Sequence, residues 1–206
     1  MAWKKRSGRL GELAEGLMKA GALQFGTFSL PDGKDSSYYV DLRGVASYPG
    51  TYRLAVEALS ELVSKKTPRA DAICGVSVAG LLFASPVAVA LGKPLIYKRM
   101  EKHENERLVE GEMRPGSNVV VMDDISTSGR TILAATDAVV DEGGKVISAV
   151  VLVDRLEGAR ERLSKRGIIL HAVTDMVELA DTLHSMALIT DENMKAIIRS
   201  VGRRAH

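Results

Sequence analysis

Short apolar runs alternate with segments of helical periodicity between residues 51 and 154, and this alternation is the strongest constraint on the fold. Apolar runs of this length are typical of strands buried on both faces of a sheet. The predicted strands are Ala72–Gly75, Pro94–Tyr97, Asn118–Asp123 and Val146–Asp154, and the predicted helices are about Thr51–Lys65, Ala79–Leu91 and Gly129–Asp141. Strands that alternate with helices form parallel sheets covered by helices on both faces. The sequence therefore predicts an α/β fold.

The two ends of the chain show other patterns. The first 45 residues predict an amphipathic helix and then two strands joined by a turn, and the last 32 predict two short helices. At 206 residues the chain is most simply one domain. The boundaries of these elements are about Arg9–Ala20, Ala22–Leu30, Pro31–Lys34, Tyr38–Leu42, Asp175–Met186 and Asp191–Val201, with Thr190 as the N-cap of the last helix.

Composition excludes several classes of protein. A net charge of +2 is too small to predict a nucleic acid or an anionic membrane as partner. No stretch reaches the ~18 consecutive apolar residues of a membrane-spanning helix. The single cysteine, Cys74, lies in an apolar run and is expected to be a buried structural thiol. A chain that cannot form an internal disulfide, and that shows no signal peptide, is expected in the cytoplasm.

The segment Val119–Thr131 carries most of the functional information. An apolar run leads to two carboxylates, Asp123 and Asp124, where the strand is expected to stop, and both are expected at a rim reached by solvent. A loop rich in hydroxyl groups then leads to a helix. Hydroxyls and backbone N–H groups at a helix start suit a phosphate, and the paired acids suit sugar hydroxyls or magnesium. Neither a P-loop pattern nor a dinucleotide fingerprint is present. The alternative is that Ser126 or Thr127 simply caps the helix.

Polar residues follow the other predicted strands as well. The carboxyl ends of parallel strands meet at one edge of a sheet, where ligands bind. Gly75–Gly80 is either an anion loop or a plain turn, the charged segment Tyr97–Gly111 is either a binding loop or a solvated surface, and Asp154–Arg155 is either a binding pair or a local ion pair.

Val119–Thr131 resembles the phosphoribosyl pyrophosphate (PRPP) binding motif of the type I phosphoribosyltransferases. The resemblance implies that family's fold, a parallel sheet flanked by helices with an N-terminal hood. It divides the chain into a hood at about 20–45, a core at about 48–174 and C-terminal helices at about 175–201. It also implies that Asp123 and Asp124 hold the ribose. The implied PRPP contacts of the following loop are Ile125, Ser126, Thr127, Ser128, Gly129, Arg130 and Thr131.

Two further segments resemble parts of the same family. Gly75–Gly80 resembles its pyrophosphate loop, with Val78 and Ala79 as contacts, although Ala79 stands where orotate members often have a lysine. Tyr97–Gly111 resembles the mobile catalytic loop of orotate phosphoribosyltransferases, with a Lys-Arg pair in place of Arg-Lys and one residue fewer. The implied catalytic residues there are Lys98, Arg99, Lys102 and His103.

The orotate branch is indicated by Phe25–Arg43, which resembles the family's hood over the base. Tyr39 and Val40 lie where that branch contacts the pyrimidine, and Lys34 is a candidate substitute for a lysine that aligns with Pro31. Arg155 corresponds to the arginine that meets the orotate carboxylate, and Thr127 is the remaining implied orotate contact.

The resemblance implies transfer of ribose 5-phosphate from PRPP to orotate, in pyrimidine biosynthesis. It implies Mg²⁺ held mainly through PRPP, with no direct protein ligand, and a homodimer that shares loop 98–110 across its interface. The alternatives are a phosphoribosyltransferase for a purine or uracil, and a non-catalytic PRPP-sensing regulator. The absence of a spare domain and the small net charge disfavour the regulator.

Overall fold

The computed structural model describes residues 6–29, 35–99 and 108–204. The chain forms two compact units, one of Val56–Val173 and one that joins Met1–Ala55 to Thr174–His206. The helices are α1 Arg6–Lys19, α2 Pro49–Lys66, α3 Ser77–Leu91, α4 Arg130–Asp141, α5 Ala159–Ser164, α6 Met176–Ser185 and α7 Asp191–Arg204, with a 3₁₀ turn at Arg43–Ser47. The strands are β1 Leu23–Ser29, β2 Asp35–Val40, β3 Ala72–Gly75, β4 Leu95–Lys98, β5 Val109–Glu110, β6 Asn118–Ser126, β7 Lys145–Asp154 and β8 Ile169–Asp175.

A six-stranded sheet forms the centre of the larger unit, in the order β5-β4-β3-β6-β7-β8. Strand β3 pairs in parallel with β4 and β6, and β6 pairs in parallel with β7. The predicted α/β fold with a parallel sheet is confirmed. The two-residue strand β5 adds an antiparallel edge, with Tyr97 opposite Glu110.

The inner strands of the sheet are apolar on both faces, as expected for parallel strands whose crossover helices cover the sheet. Residues Val119–Met122 of β6 are completely buried, and so are Ile73 and Cys74 of β3. Such strands need helices on both sides to exclude water. Helix α3 supplies one cover, and its contacts with β6 and β3 are among the most extensive in the unit.

Strand β6 is longer than predicted. The prediction that the strand stops at its two acids is wrong, since pairing with β7 continues to Ser126, which lies opposite Asp154. The expectation that both carboxylates lie at a rim reached by solvent is also wrong. Asp123 is 5% exposed and Asp124 is 6% exposed. Backbone pairing extends through polar residues because the ladder needs only their N–H and C=O groups.

The smaller unit contains the β1–β2 hairpin and helices α1, α6 and α7. The two strands are antiparallel, with a register irregularity between Phe25 and Phe28. Thr190 caps α7 as predicted, its Oγ1 accepting from the backbone N–H of Asn193 at 3.2 Å. The predicted turn at Pro31–Lys34 lies outside the described residues. Within the described ranges, every helix is too short or too polar to cross a bilayer.

Candidate active site

The two acids of β6 lie at its carboxyl end, next to the start of α3. Oδ1 of Asp123 accepts a hydrogen bond from the backbone N–H of Asp124 at 3.0 Å. A Cβ placed on Gly80 would be 2.7 Å from the same oxygen. The first turn of α3 therefore packs directly against the Asp123 carboxylate.

The loop after β6 opens the N-terminus of α4. Its N-cap is Gly129, at φ 77°. No side chain forms a capping hydrogen bond, and the first turn contains no acidic residue. The alternative in which Ser126 or Thr127 caps α4 is therefore excluded. The Ser126 hydroxyl instead donates to Asp154 at 2.8 Å. Uncapped N–H groups of a first helical turn, together with the helix dipole, suit an anion.

The turn from β3 into α3 is built from small residues packed at close quarters. A Cβ on Gly75 would be 3.0 Å from the Cα of Leu81. The backbone N–H of Val76 donates to the carbonyl of Met122 at 3.0 Å, which joins this turn to β6. The predicted diphosphate contacts Val78 and Ala79 lie in the first turn of α3, Val78 exposed and Ala79 buried. No side chain caps this helix either.

The basic pair at the end of β4 lies where the predicted catalytic loop begins. The Nζ of Lys98 donates to the carbonyl of Arg99 at 3.0 Å. The guanidinium of Arg99 forms an ion pair with Glu110 at 2.9 Å, and the Arg99 backbone N–H donates to Leu108 O at 2.8 Å. Lys102 and His103 lie outside the described residues. The β4–β5 ladder therefore holds both ends of the segment that contains them.

Arg155 follows β7 directly and is buried. Its backbone N–H donates to the carbonyl of Ser126 at 2.9 Å, which brings it beside the end of β6. Its guanidinium forms an ion pair with Glu157, at 2.9 Å, and both side chains are almost inaccessible to solvent. This is not the Asp154–Arg155 ion pair that the sequence allowed, since Asp154 pairs with Arg160 instead. A substrate carboxylate would have to share or replace Glu157.

The hairpin residues predicted to contact the base belong to the smaller unit. Tyr39 is half-buried and stacks on Phe28, with ring centroids 5.5 Å apart. Val40 is buried and pairs with Leu23. Lys34 lies outside the described residues. The roles of these three residues stay predictions.

Cys74 is excluded from the chemistry of the site. It is completely buried in β3, as predicted, and burial raises the pKa of its thiol to about 12. A thiol is nucleophilic only as the thiolate, so Cys74 is a structural residue.

Comparison with known proteins places the chain in a family. Residues 48–182 match the family model described as a phosphoribosyl transferase domain. The orotate phosphoribosyltransferase of Cenarchaeum symbiosum is 36% identical over 185 residues, covering 88% of this chain and 92% of that protein. That of Methanopyrus kandleri is 40% identical over 164 residues, covering 78% and 86%. This chain belongs to the orotate phosphoribosyltransferase family.

Solved structures agree with this membership. The crystal structure of orotate phosphoribosyltransferase from Aeropyrum pernix superposes with a TM-score of 0.73 at 36% identity, covering 85% of this chain and 99% of that one. The structure of Leishmania donovani UMP synthase superposes with a TM-score of 0.87 at 32% identity. The match covers 96% of this chain but 43% of the Leishmania chain. The predicted type I phosphoribosyltransferase fold is confirmed.

Two residues of the candidate active site could not be assigned to it from the sequence. Gly80 lies in the candidate anion loop Gly75–Gly80, but its contact with Asp123 depends on how α3 packs against β6 and cannot be predicted from that pattern. Glu157 pairs with Arg155, and its position two residues further along the chain is the only signal the sequence offered.

Proposed function

We propose that this protein transfers ribose 5-phosphate from PRPP to N1 of orotate, giving orotidine 5′-phosphate and pyrophosphate in pyrimidine (UMP) biosynthesis. Family membership supports the reaction, since curated relatives bear the name orotate phosphoribosyltransferase. The observation that carries the proposal is the end of β6. There, two buried carboxylates lead within five residues to an α4 N-terminus that no side chain caps.

The 5′-phosphate would bind at the start of α4. The loop residues Thr127 and Ser128 are half-buried, and Arg130 and Thr131 in the first turn are exposed. Their hydroxyls and backbone N–H groups supply several donors without a large side chain in the way. Ile125 and Ser126 would shape the base of this pocket. The bound phosphate anchors the sugar while its anomeric carbon reacts.

The diphosphate would bind at the start of α3. Backbone N–H groups near Val78 and Ala79 are the candidate donors, and Gly80 lets this turn approach Asp123. No lysine stands at Ala79, so main-chain dipoles carry more of the binding here.

The two carboxylates suit a reaction in which the ribose becomes positively charged. The C1′–O bond to the diphosphate breaks with its electron pair leaving on oxygen, and N1 of orotate supplies the pair for the new C1′–N1 bond and loses its proton. Asp123 and Asp124 would hold the ribose hydroxyls and stabilise the cationic ring electrostatically. Preorganised groups of this kind are worth roughly 3–4 kcal/mol each.

Mg²⁺ fits the donor set as a substrate-bound ion. No cluster of three or more His, Cys, Asp or Glu side chains able to hold a metal occurs among the residues that the structure describes. Mg²⁺ commonly uses one or two carboxylates together with substrate phosphates. In the proposed site PRPP holds the ion, and Asp123 and Asp124 bind the ribose hydroxyls and are not direct ligands. When bound, the ion would neutralise charge on the departing diphosphate.

The basic residues after β4 would complete the diphosphate site. Lys98 is the last residue of that strand and Arg99 follows it, and Lys102 and His103 come after them in the chain. Cations there would stabilise the leaving group and help to exclude water that hydrolyses PRPP.

Orotate would be selected through its carboxylate. Arg155 presents a buried guanidinium whose planar fork matches a carboxylate in a bidentate arrangement. Thr127, from the loop beside it, and Tyr39, Val40 and Lys34, from the hairpin segment, are the other proposed contacts.

The protein would act in the cytoplasm as a homodimer that shares loop 98–110 between subunits. Support comes from α3, which is apolar around most of its circumference yet exposes Val78 and Val89, 71% and 81% accessible. Tyr97 of β4 is also exposed. Large exposed apolar side chains on a helix are typical of an interface.

A panel of bases tests the proposed reaction. Pyrophosphate release is measured with PRPP, Mg²⁺ and, in separate reactions, orotate, uracil, adenine or hypoxanthine. We expect release with orotate alone, one pyrophosphate for each orotate consumed. Release with adenine or hypoxanthine instead would indicate a purine enzyme. No release with any base, together with retained PRPP binding, would indicate a regulator.

A further inference from the structure

Asp154, the last residue of β7, receives hydrogen bonds from three different segments although it is completely buried. Its Oδ1 accepts from the Ser126 hydroxyl at 2.8 Å and from the backbone N–H of Leu156 at 3.0 Å. Its Oδ2 accepts from Nε of Arg160 at 2.6 Å. A buried carboxylate is costly unless donors and an opposite charge compensate it, so these partners are needed for the arrangement to persist.

Two of the three donors are attached to the proposed binding loops. Ser126 ends β6 directly before the phosphate loop, here defined as Thr127–Gly129. Leu156 follows Arg155 and has φ 58°, in the left-handed region that a leucine rarely adopts. The hydrogen bond from its N–H to the side chain two residues earlier is the bond of an Asx turn, which stabilises such a conformation. One carboxylate oxygen thus holds both loops.

The third donor acts through α5. Arg160 lies in the first turn of that helix, next to Ala159. A Cβ on Gly129 would be 3.2 Å from the Cα of Ala159, so the start of α5 forms a wall behind the phosphate loop. The ion pair of Arg160 with Asp154 therefore also fixes the position of that wall.

We propose that Asp154 is a positioning residue that keeps the phosphate loop and the Arg155 turn in one fixed arrangement. It touches neither substrate. By holding both loops on one buried carboxylate, it sets how the anchored sugar phosphate is presented to the base. This inference rests on the proposed function for its kinetic consequence, but its structural core, the coupling of the two loops, does not depend on which reaction is catalysed.

The experiment compares Asp154→Asn and Arg160→Gln with a control, Arg166→Gln. Asn keeps an oxygen for Ser126 and Leu156 but removes the negative charge that strengthens both hydrogen bonds and attracts Arg160. Arg166 also forms a 2.6 Å ion pair near α5, with Asp137, but both side chains there are half exposed. Arg166→Gln thus breaks a similar ion pair in the same region without touching Asp154.

Two measurements are made on each variant, with melting temperature recorded alongside. In steady-state kinetics with PRPP and orotate, we expect Asp154→Asn and Arg160→Gln to lower kcat by roughly 10- to 100-fold, as small misplacements of reacting groups do. Each KM should change less than kcat. Arg160→Lys should recover much of the loss, and Arg166→Gln should match the wild type.

The second measurement is hydrogen exchange of the peptides that cover residues 125–131 and 154–158. Both peptides should lose protection in Asp154→Asn and in Arg160→Gln, and both should keep it in Arg166→Gln.

The outcomes separate this inference from the proposed function. A wild-type protein without orotate turnover overturns the proposed function, and the exchange measurement then still decides the coupling. If both peptides exchange in Arg160→Gln at the same rate as in the wild type, the inference is overturned. So does an activity loss that only equals the fraction of unfolded protein at the assay temperature.

Discussion

Gly80 and Asp123 are packed so closely that a single methyl group on Gly80 would lie 2.7 Å from Oδ1 of Asp123 and 2.8 Å from the carbonyl of Met122. Real Cβ atoms do not approach oxygen atoms at these distances, so either the helix or the carboxylate must move to admit one. The contact joins the proposed diphosphate turn to the proposed ribose carboxylate.

Gly80→Ala should therefore impair PRPP use. Overpacking of this kind costs about 1–3 kcal/mol. We expect kcat/KM for PRPP to fall by roughly tenfold or more, as a loss of that size implies. The control is Gly50→Ala in α2, where a Cβ meets nothing within 4 Å. Equal kinetics for the two variants would show that the Gly80 contact has no part in binding.

Arg155 should be required for orotate and not for PRPP. Replacing Arg155 alone breaks a buried ion pair from one side, which costs about 3–5 kcal/mol. The variant to test is therefore Arg155→Gln with Glu157→Gln, which removes both charges. We expect the KM for orotate to rise about tenfold or more, because hydrogen bonds to charged groups contribute roughly 1.5–3 kcal/mol. An equal rise for PRPP would contradict the assignment. Arg166→Gln with Asp137→Asn, which removes both charges of an exposed ion pair, serves as the control.

The thiol of Cys74 should be unreactive in the folded protein. Its burial should also lower the free energy of unfolding at alkaline pH. Burial raises its pKa to about 12 from an ordinary value of 9.0. Above pH 9 the unfolded chain loses this proton while the folded chain keeps it, so the free energy of unfolding should fall between pH 9 and 12. A thiol reagent at pH 8 should label the protein only in denaturant. Cys74→Ala should reduce the alkaline slope, and rapid labelling of the native protein would contradict the burial.

Much of this fold could be predicted from the sequence because strands buried in a parallel sheet consist of runs of apolar residues. Strand β3 has the predicted bounds, and the other sheet strands that were predicted differ by a few residues. Strand β8, the two-residue β5 and the six-residue α5 were missed. The last two are too short to show a period, and β8 carries polar residues such as His171 and Thr174.

The site was predictable in its residue types but not in its contacts. Asp123, Asp124 and Arg155 follow apolar runs, and their positions near the strand ends could be predicted. Their burial could not, because it depends on β6 continuing to Ser126 and on α3 lying against Asp123. The partners of Asp154 come from three segments, which no local pattern identifies.

The exposed apolar side chains of α3 should hold two copies of the protein together. Val89→Asp would place a charge in the proposed interface, where its desolvation is costly. We expect the molar mass in solution, from light scattering, to fall from that of a dimer to that of a monomer. Val140→Asp, which alters a 52% exposed valine on α4, should leave the mass unchanged. A wild-type monomer, or a dimer that survives Val89→Asp, would contradict this interface.

Titration calorimetry with PRPP and Mg²⁺ tests the account most directly, because it asks whether the end of β6 holds the sugar. The wild-type protein should bind one PRPP per chain, and Asp123→Asn with Asp124→Asn should weaken that binding by roughly 100-fold or more, the loss expected when both ribose contacts go at about 1.5 kcal/mol each. Asp137→Asn, at an exposed carboxylate of α4, should bind as the wild type does. Unchanged affinity in the double variant, or no heat from the wild type, would contradict the account.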